Sequence, residues 1–156
     1  MGVRALLSSI VALALFAGPS QAAILFTDLG TDPPPATIGS VPVTPFDLAP
    51  QAAIPDGTIV FAIPGDPFGG PVAVSLDALR LTVPDSWLTW SHGYVGPVFA
   101  FPDNVTLLLP FPTRAFYVYV EPNFQDVFTV SATANDGTTS GPIDVNGDTG
   151  ANGFGF

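Results

Sequence analysis

Proline and glycine interrupt this chain so often that no long helix fits within it. Eighteen prolines and 16 glycines are spread over 156 residues. Proline lacks a backbone donor and clashes inside a helix, and glycine costs about 1 kcal/mol there relative to alanine. A structureless low-complexity chain is excluded by a hydrophobic content of 47%, ample for a core. What remains is a set of short strands joined by many turns, at the length of one domain.

Charge narrows the partners. The net charge is -10, and the basic residues are Arg4, Arg80 and Arg114, with no lysine. Such a chain repels phosphate backbones and has no basic stripe, which excludes nucleic acid. Residues 1–22 carry the three parts of a secretory signal peptide: Arg4 near the start, an apolar run from Ala5 to Ala17, and the small-residue site Ser20-Gln21-Ala22. The run falls short of the roughly 20 residues that span a bilayer as a helix, so a helical signal peptide removed after Ala22 is expected. Signal peptidase and the export machinery are the first implied partners, and the destination is extracellular. The chain has no cysteine; in an exported protein, stability must then come from the core rather than from disulfides. Twelve of the 13 acids are aspartates, many beside Gly, Pro or Asn, as in Asp56-Gly57 and Asp136-Gly137. Short carboxylates there bond back to turn backbone.

Three segments follow from this punctuation: the signal peptide over 1–22, a loop-rich stretch over 23–56 with a first strand at Ile24-Leu25-Phe26, and a β domain over 57–156. Strands are predicted for Thr58 to Ile63, Val72 to Leu76, Leu79 to Val83, Trp87 to Ser91, Val98 to Phe101 and Val105 to Leu109, each apolar and bounded by turn residues. In Ala115 to Glu121 a period of two puts Phe116, Val118 and Val120 on one face and Tyr117, Tyr119 and Glu121 on the other. Val127 to Ala134 alternates likewise, so one face of each strand is expected to be buried, and Asn135-Asp136-Gly137 supplies the hairpin turn. The fold predicted is all-β, an antiparallel, jelly-roll-like β-sandwich. The closing Gly153-Phe154-Gly155-Phe156 reads as the opening of a further strand in a C-terminally truncated chain, with a sheet edge left unpaired.

The segment Trp87-Leu88-Thr89-Trp90-Ser91-His92-Gly93-Tyr94, then Val105 to Leu109, Ala115 to Asn123 and Gly150 to Phe156, together resemble the PEP-CTERM, or exosortase-sorted, exported proteins of bacteria. The likeness covers residues 80 to 156. It implies an extracellular β-rich domain at the cell surface or in the biofilm matrix, normally followed by a Pro-Glu-Pro motif, an apolar helix and an arginine cluster. Glu121-Pro122 is not that motif, since Asn123-Phe124-Gln125-Asp126 follows it. Membrane contact is implied only through such a tail. The family is defined by its address, so no catalytic residue carries over.

Candidate chemistry is sparse. His92 is the only histidine, with Ser91, Ser86 and Asp85 nearby, but neighbours on a strand face apart and no Gly-x-Ser-x-Gly elbow is present. Asp148-Thr149-Gly150 matches the aspartic-protease motif, yet Asn146-Gly147 replaces the apolar strand that precedes such an aspartate. Glu121 is the only glutamate, so no carboxylate pair for glycoside hydrolysis stands out. Asp144, Asn146 and Asp148 fall at positions 1, 3 and 5 of a calcium-loop pattern whose positions 6 and 12, Thr149 and Gly155, do not fit an EF-hand; an irregular calcium site is the cofactor to test, beside the simpler reading as a polar turn. Trp87, Trp90 and Tyr94 are candidates for stacking against sugar rings, with loop carboxylates taking hydroxyls. Trp87 and Trp90, three apart on a strand, would point to opposite faces. The function expected is non-enzymatic, structural or adhesive, with carbohydrate binding as the alternative and extracellular polysaccharide as the implied partner.

Overall fold

The computed structural model describes residues 23–110 and 112–156. The signal peptide expected over residues 1–22 lies outside the described residues. In chain order the elements are β1 (Thr27–Gly30), β2 (Thr37–Ile38), β3 (Val41–Pro42), a short helix α1 (Leu48–Ala52), β4 (Ile59–Ile63), β5 (Val72–Val83), β6 (Gly96–Ala100), β7 (Leu107–Leu108), β8 (Tyr117–Val120), β9 (Val127–Val130), β10 (Ile143–Asn146) and β11 (Asn152–Gly155). The chain is all-β, its strands paired antiparallel. Among the described residues no helix is long and apolar enough to cross a membrane.

β5 organises the largest sheet. The two strands predicted over 72–76 and 79–83 are one strand of 12 residues, because Asp77 is not a break: it lies exposed on the face opposite buried Ala78 and Arg80. β4 pairs along one edge of β5, and β6 and β7 share the other. Arg80 is only 5% exposed, and its charge is met by the Asp56 carboxylate. Thr82 Oγ1 and Ser86 Oγ donate to the two Asp56 oxygens at 2.7 and 2.6 Å. A buried cation survives only with such partners.

The second sheet has the order β1-β11-β8. Its centre is the strand whose pairing was expected to be incomplete. β11 bonds to both neighbours, and Phe156 and Phe116 exchange backbone hydrogen bonds of 2.8 Å just beyond it. The Gly-Phe alternation explains this placement. A Cβ on Gly153 would lie 2.8 Å from the Leu29 side chain and 2.7 Å from the Tyr119 ring, so glycine lets the neighbours close over that face. On the other face Phe154 is fully buried, and Phe26 packs 6.2 Å from it and 5.4 Å from Phe156.

β9 and β10 form a two-stranded hairpin. Ala134 accepts from Gly137 N at 3.0 Å and donates to Thr138 O at 2.8 Å, with Gly137 at φ 90°. That is a three-residue hairpin loop with its positive-φ glycine where the turn requires it. The Asp136 carboxylate accepts from Thr138 N at 2.9 Å and Ile24 N at 3.2 Å, and these bonds, Thr138's foremost, hold its pKa below the usual range. The expectation of one buried face fails for β9, where Val127, Phe128 and Thr129 are all exposed, while on its partner β10 Val145 is buried: the ribbon is covered along β10 and left open along β9.

Three further corrections are local. The first strand is Thr27–Gly30 rather than Ile24 to Phe26, whose last residue serves the core instead. Trp87 to Ser91 is not a strand; its backbone turns after β5, with Ser86 N and Trp87 N both donating to Thr82 O at 2.8 and 3.0 Å. Helix α1, in the stretch expected to be loop, is capped by Asp47, whose carboxylate accepts from Ala49 N at 2.9 Å, as an N-cap does.

Candidate functional site

The turn after β5 begins a loop, residues 84–95, that carries most of the aromatic residues singled out by sequence. Its start is tied down by Ser86, which accepts from Thr82 N at 2.8 Å while donating to Asp56. Its end is tied by the Tyr94 hydroxyl, which donates to Pro97 O at 2.7 Å. In between, Ser91–Gly93 makes one 3-10 turn with His92 at φ 46°, a left-handed conformation that few residues other than glycine and asparagine adopt freely. The bend sets the Trp90 and Tyr94 rings 5.8 Å apart at 48°.

The β10–β11 turn meets this loop. Asn146 Oδ1 accepts from Asp148 N at 2.9 Å and Asn146 O from Thr149 N at 3.0 Å, which shapes the turn. At its far end Gly150 packs directly against the Trp90–Ser91 peptide. Between loop and turn lies a cleft of about 310 Å³, with Leu88, Thr89, Trp90 and Tyr94 from the loop and Asp148 and Thr149 from the turn. Leu88 is 74% exposed, so the rim is apolar and accessible.

Of the three aromatic candidates, the structure gathers Trp90 and Tyr94 at this cleft and leaves Trp87 out. Trp87 instead lies beside Glu121, where its side chain favours the charged form of that carboxyl. Of the calcium candidates, Asp148 lines the cleft. Asp144 accepts from Thr129 Oγ1 at 2.7 Å across the hairpin, and Asn146 Oδ1 is taken by the turn. Asp144 and Asn146 thus take part in the hairpin and the turn, and among the described residues no three of His, Cys, Asp or Glu are grouped so as to hold a metal ion.

Ser91 and His92, expected to face apart, do not. The 3-10 turn replaces the strand and brings Ser91 Oγ 3.0 Å from His92 Nδ1. Ser91 is 3% exposed, with Gly150 packed against its backbone. Burial lowers the His92 pKa below its ordinary 6.5, and a hydrogen bond with the Thr31 backbone offsets this in part. Its ring meets Tyr119 edge-on at 5.0 Å, which docks the loop on the second sheet. The Tyr94 hydroxyl is pushed up by burial and drawn back by the nearby Arg80 charge.

Sequence reasoning missed Thr89 and Glu121 as parts of this region. Glu121 follows β8, and Thr89 Oγ1 lies within hydrogen-bond distance of both its Oε1 and Gly147 O, the latter at 2.9 Å. The only signal was that Glu121 ends the face begun by Tyr117 and Tyr119. No protein-family profile, curated protein or solved structure compared with this chain matches it.

Proposed function

We propose that this chain is an exported, non-enzymatic β-sandwich protein with a structural or adhesive role at the bacterial surface or in its extracellular matrix, and that it holds polysaccharide in the Trp90–Tyr94 cleft. The observation that carries this reading is the meeting in one cleft of the Trp90 and Tyr94 rings with the polar residues Asp148 and Thr149. Ring faces suit the apolar C–H surfaces of sugars, and a few placed polar groups orient the hydroxyls. The signal-peptide pattern and the likeness to exosortase-sorted proteins support the address. With residues 1–22 and Arg4 removed, 13 acids face two arginines, a net charge of -11, which suits a surface component and favours neutral or cationic glycans over acidic ones.

The test is a titration of the purified protein with a polysaccharide panel, followed by tryptophan fluorescence. A saturable change is expected, with Trp90→Ala weakening it at least about tenfold, the equivalent of roughly 1.4 kcal/mol. Trp87→Phe, whose ring does not line the cleft, is expected to retain binding. Silence across the panel, or a Trp90→Ala variant that binds like the parent, would overturn the assignment of the cleft.

A further inference from the structure

The contact between Glu121, Thr89 and Gly147 poses a problem of counting hydrogens. Thr89 Oγ1 lies within hydrogen-bond distance of both Glu121 Oε1 and Gly147 O. A hydroxyl has one hydrogen to give and two lone pairs to receive, and a backbone carbonyl has none to give. If Glu121 is ionised, three acceptor oxygens meet over a single hydrogen, and one contact sets lone pair against lone pair. If Glu121 is protonated, its carboxyl donates to Thr89, and Thr89 donates to Gly147. Every contact is then a hydrogen bond.

The second carboxyl oxygen agrees. Glu121 Oε2 is buried with no hydrogen-bond partner among the described residues. A bare oxygen costs far less on a neutral acid than on an anion. We propose that Glu121 is the positioning residue of the cleft and acts as a proton-donating latch, its neutral carboxyl fixing Thr89 so that Thr89 ties the aromatic loop to the β10–β11 turn. The cleft is thereby closed and ready in the protonated state and loosened when Glu121 ionises, so ligand is held more tightly on the acid side. This rests on the reading of the cleft as the ligand site.

The surroundings favour the neutral form. Tyr117 and Tyr119 share its face of β8, and His92 from the loop stands against Tyr119. Asp126 accepts from Gly147 N through its backbone carbonyl at 3.0 Å, and Asp148 follows Gly147 in the turn. The Arg80 cation is committed to Asp56. Burial also pushes the Glu121 carboxyl above its ordinary 4.5, against the opposing influence of the Thr89 and Trp87 side chains.

The test exploits the fact that Glu121 is the only glutamate. Protein labelled with 13C-glutamate gives one side-chain carboxyl resonance, whose pH titration reads the latch in the unaltered chain and without ligand. A midpoint above 4.5 is expected, with a tryptophan fluorescence change at the same pH. Glu121→Gln, whose amide still donates to Thr89, is expected to abolish that fluorescence step and to match the low-pH spectrum of the parent. Polysaccharide affinity should fall across the same midpoint in the parent and stay level in E121Q. A midpoint at or below 4.5 overturns the latch, as does an E121Q spectrum that matches the high-pH form. A raised midpoint with no polysaccharide binding leaves the latch standing and removes the ligand reading. Binding with an ordinary midpoint removes the latch alone.

Discussion

A Cβ placed on Gly150 would lie 2.4 Å from the backbone nitrogen of Ser91, so the β10–β11 turn rests on the aromatic loop backbone to backbone. Gly150 also has φ +99°, which an L side chain rarely adopts. Gly150→Ala is therefore expected to lose about 2–4 kcal/mol, from overpacking and backbone strain together. Gly137→Ala is the control, because its φ of +90° is similar but nothing lies within 4 Å; about 1 kcal/mol is expected there. Urea unfolding of the two variants measures the difference, and equal losses would show that the contact between loop and turn carries no weight.

The Arg80–Asp56 pair makes a second prediction. Asp56→Ala leaves a buried guanidinium without its counter-charge and is expected to cost about 3 kcal/mol. Replacing both partners with apolar groups, as in R80M/D56A, should restore most of that loss, because it also removes the buried Arg80 Nε that has no partner among the described residues. The same unfolding experiment checks it, and a double variant as weak as D56A alone would refute the account.

His92 and Glu121 bend the stability profile in opposite directions. The folded pKa of His92 is lowered from 6.5, so the unfolded chain binds the proton more readily and stability falls as pH drops below 6.5. The folded pKa of Glu121 is raised from 4.5, so its contribution is complete below 4.5 and is lost as pH climbs above it. His92→Asn, which tolerates the left-handed backbone, should remove the first limb. Glu121→Gln should remove the second and be more stable than the parent at pH 7. Melting temperatures measured from pH 4 to 8 decide both.

β4 is an edge strand with five apolar residues, and Phe61 on it is 69% exposed. Such an edge is a template for pairing with another chain. Phe61→Lys is expected to reduce self-association at high protein concentration without lowering thermal stability, as read by static light scattering. Unchanged scattering would show that β4 is not the adhesive edge.

Much of the architecture was legible in local chemistry. Asn135-Asp136-Gly137 announced its hairpin because positive φ there admits few residues, and the period-two runs around Tyr117 to Val120 and Val127 to Val130 marked strands wherever apolar and polar residues alternate. The same local logic misread Asp77 as punctuation, since an aspartate ending a strand and one facing solvent within it look alike until the partners β4 and β6 are in place. It also read 87–91 as a strand from its β-forming composition, whereas the Thr82 carbonyl captures two backbone N–H groups and turns the chain away.

By itself the sequence determined that the chain must be strands and turns, strongly acidic, with a signal-peptide pattern at its start and without disulfides. Those properties follow from what each residue permits its own backbone and from summed charge, and both are additive along the chain. Tertiary structure alone decided that Phe154 lies at the centre of a sheet, that Trp90 rather than Trp87 faces a cleft with Asp148, and that Glu121 meets Thr89 and Gly147. These depend on segments distant in sequence sharing one hydrogen or one glycine-sized gap, and the energy of such a contact exists only once both sides have arrived.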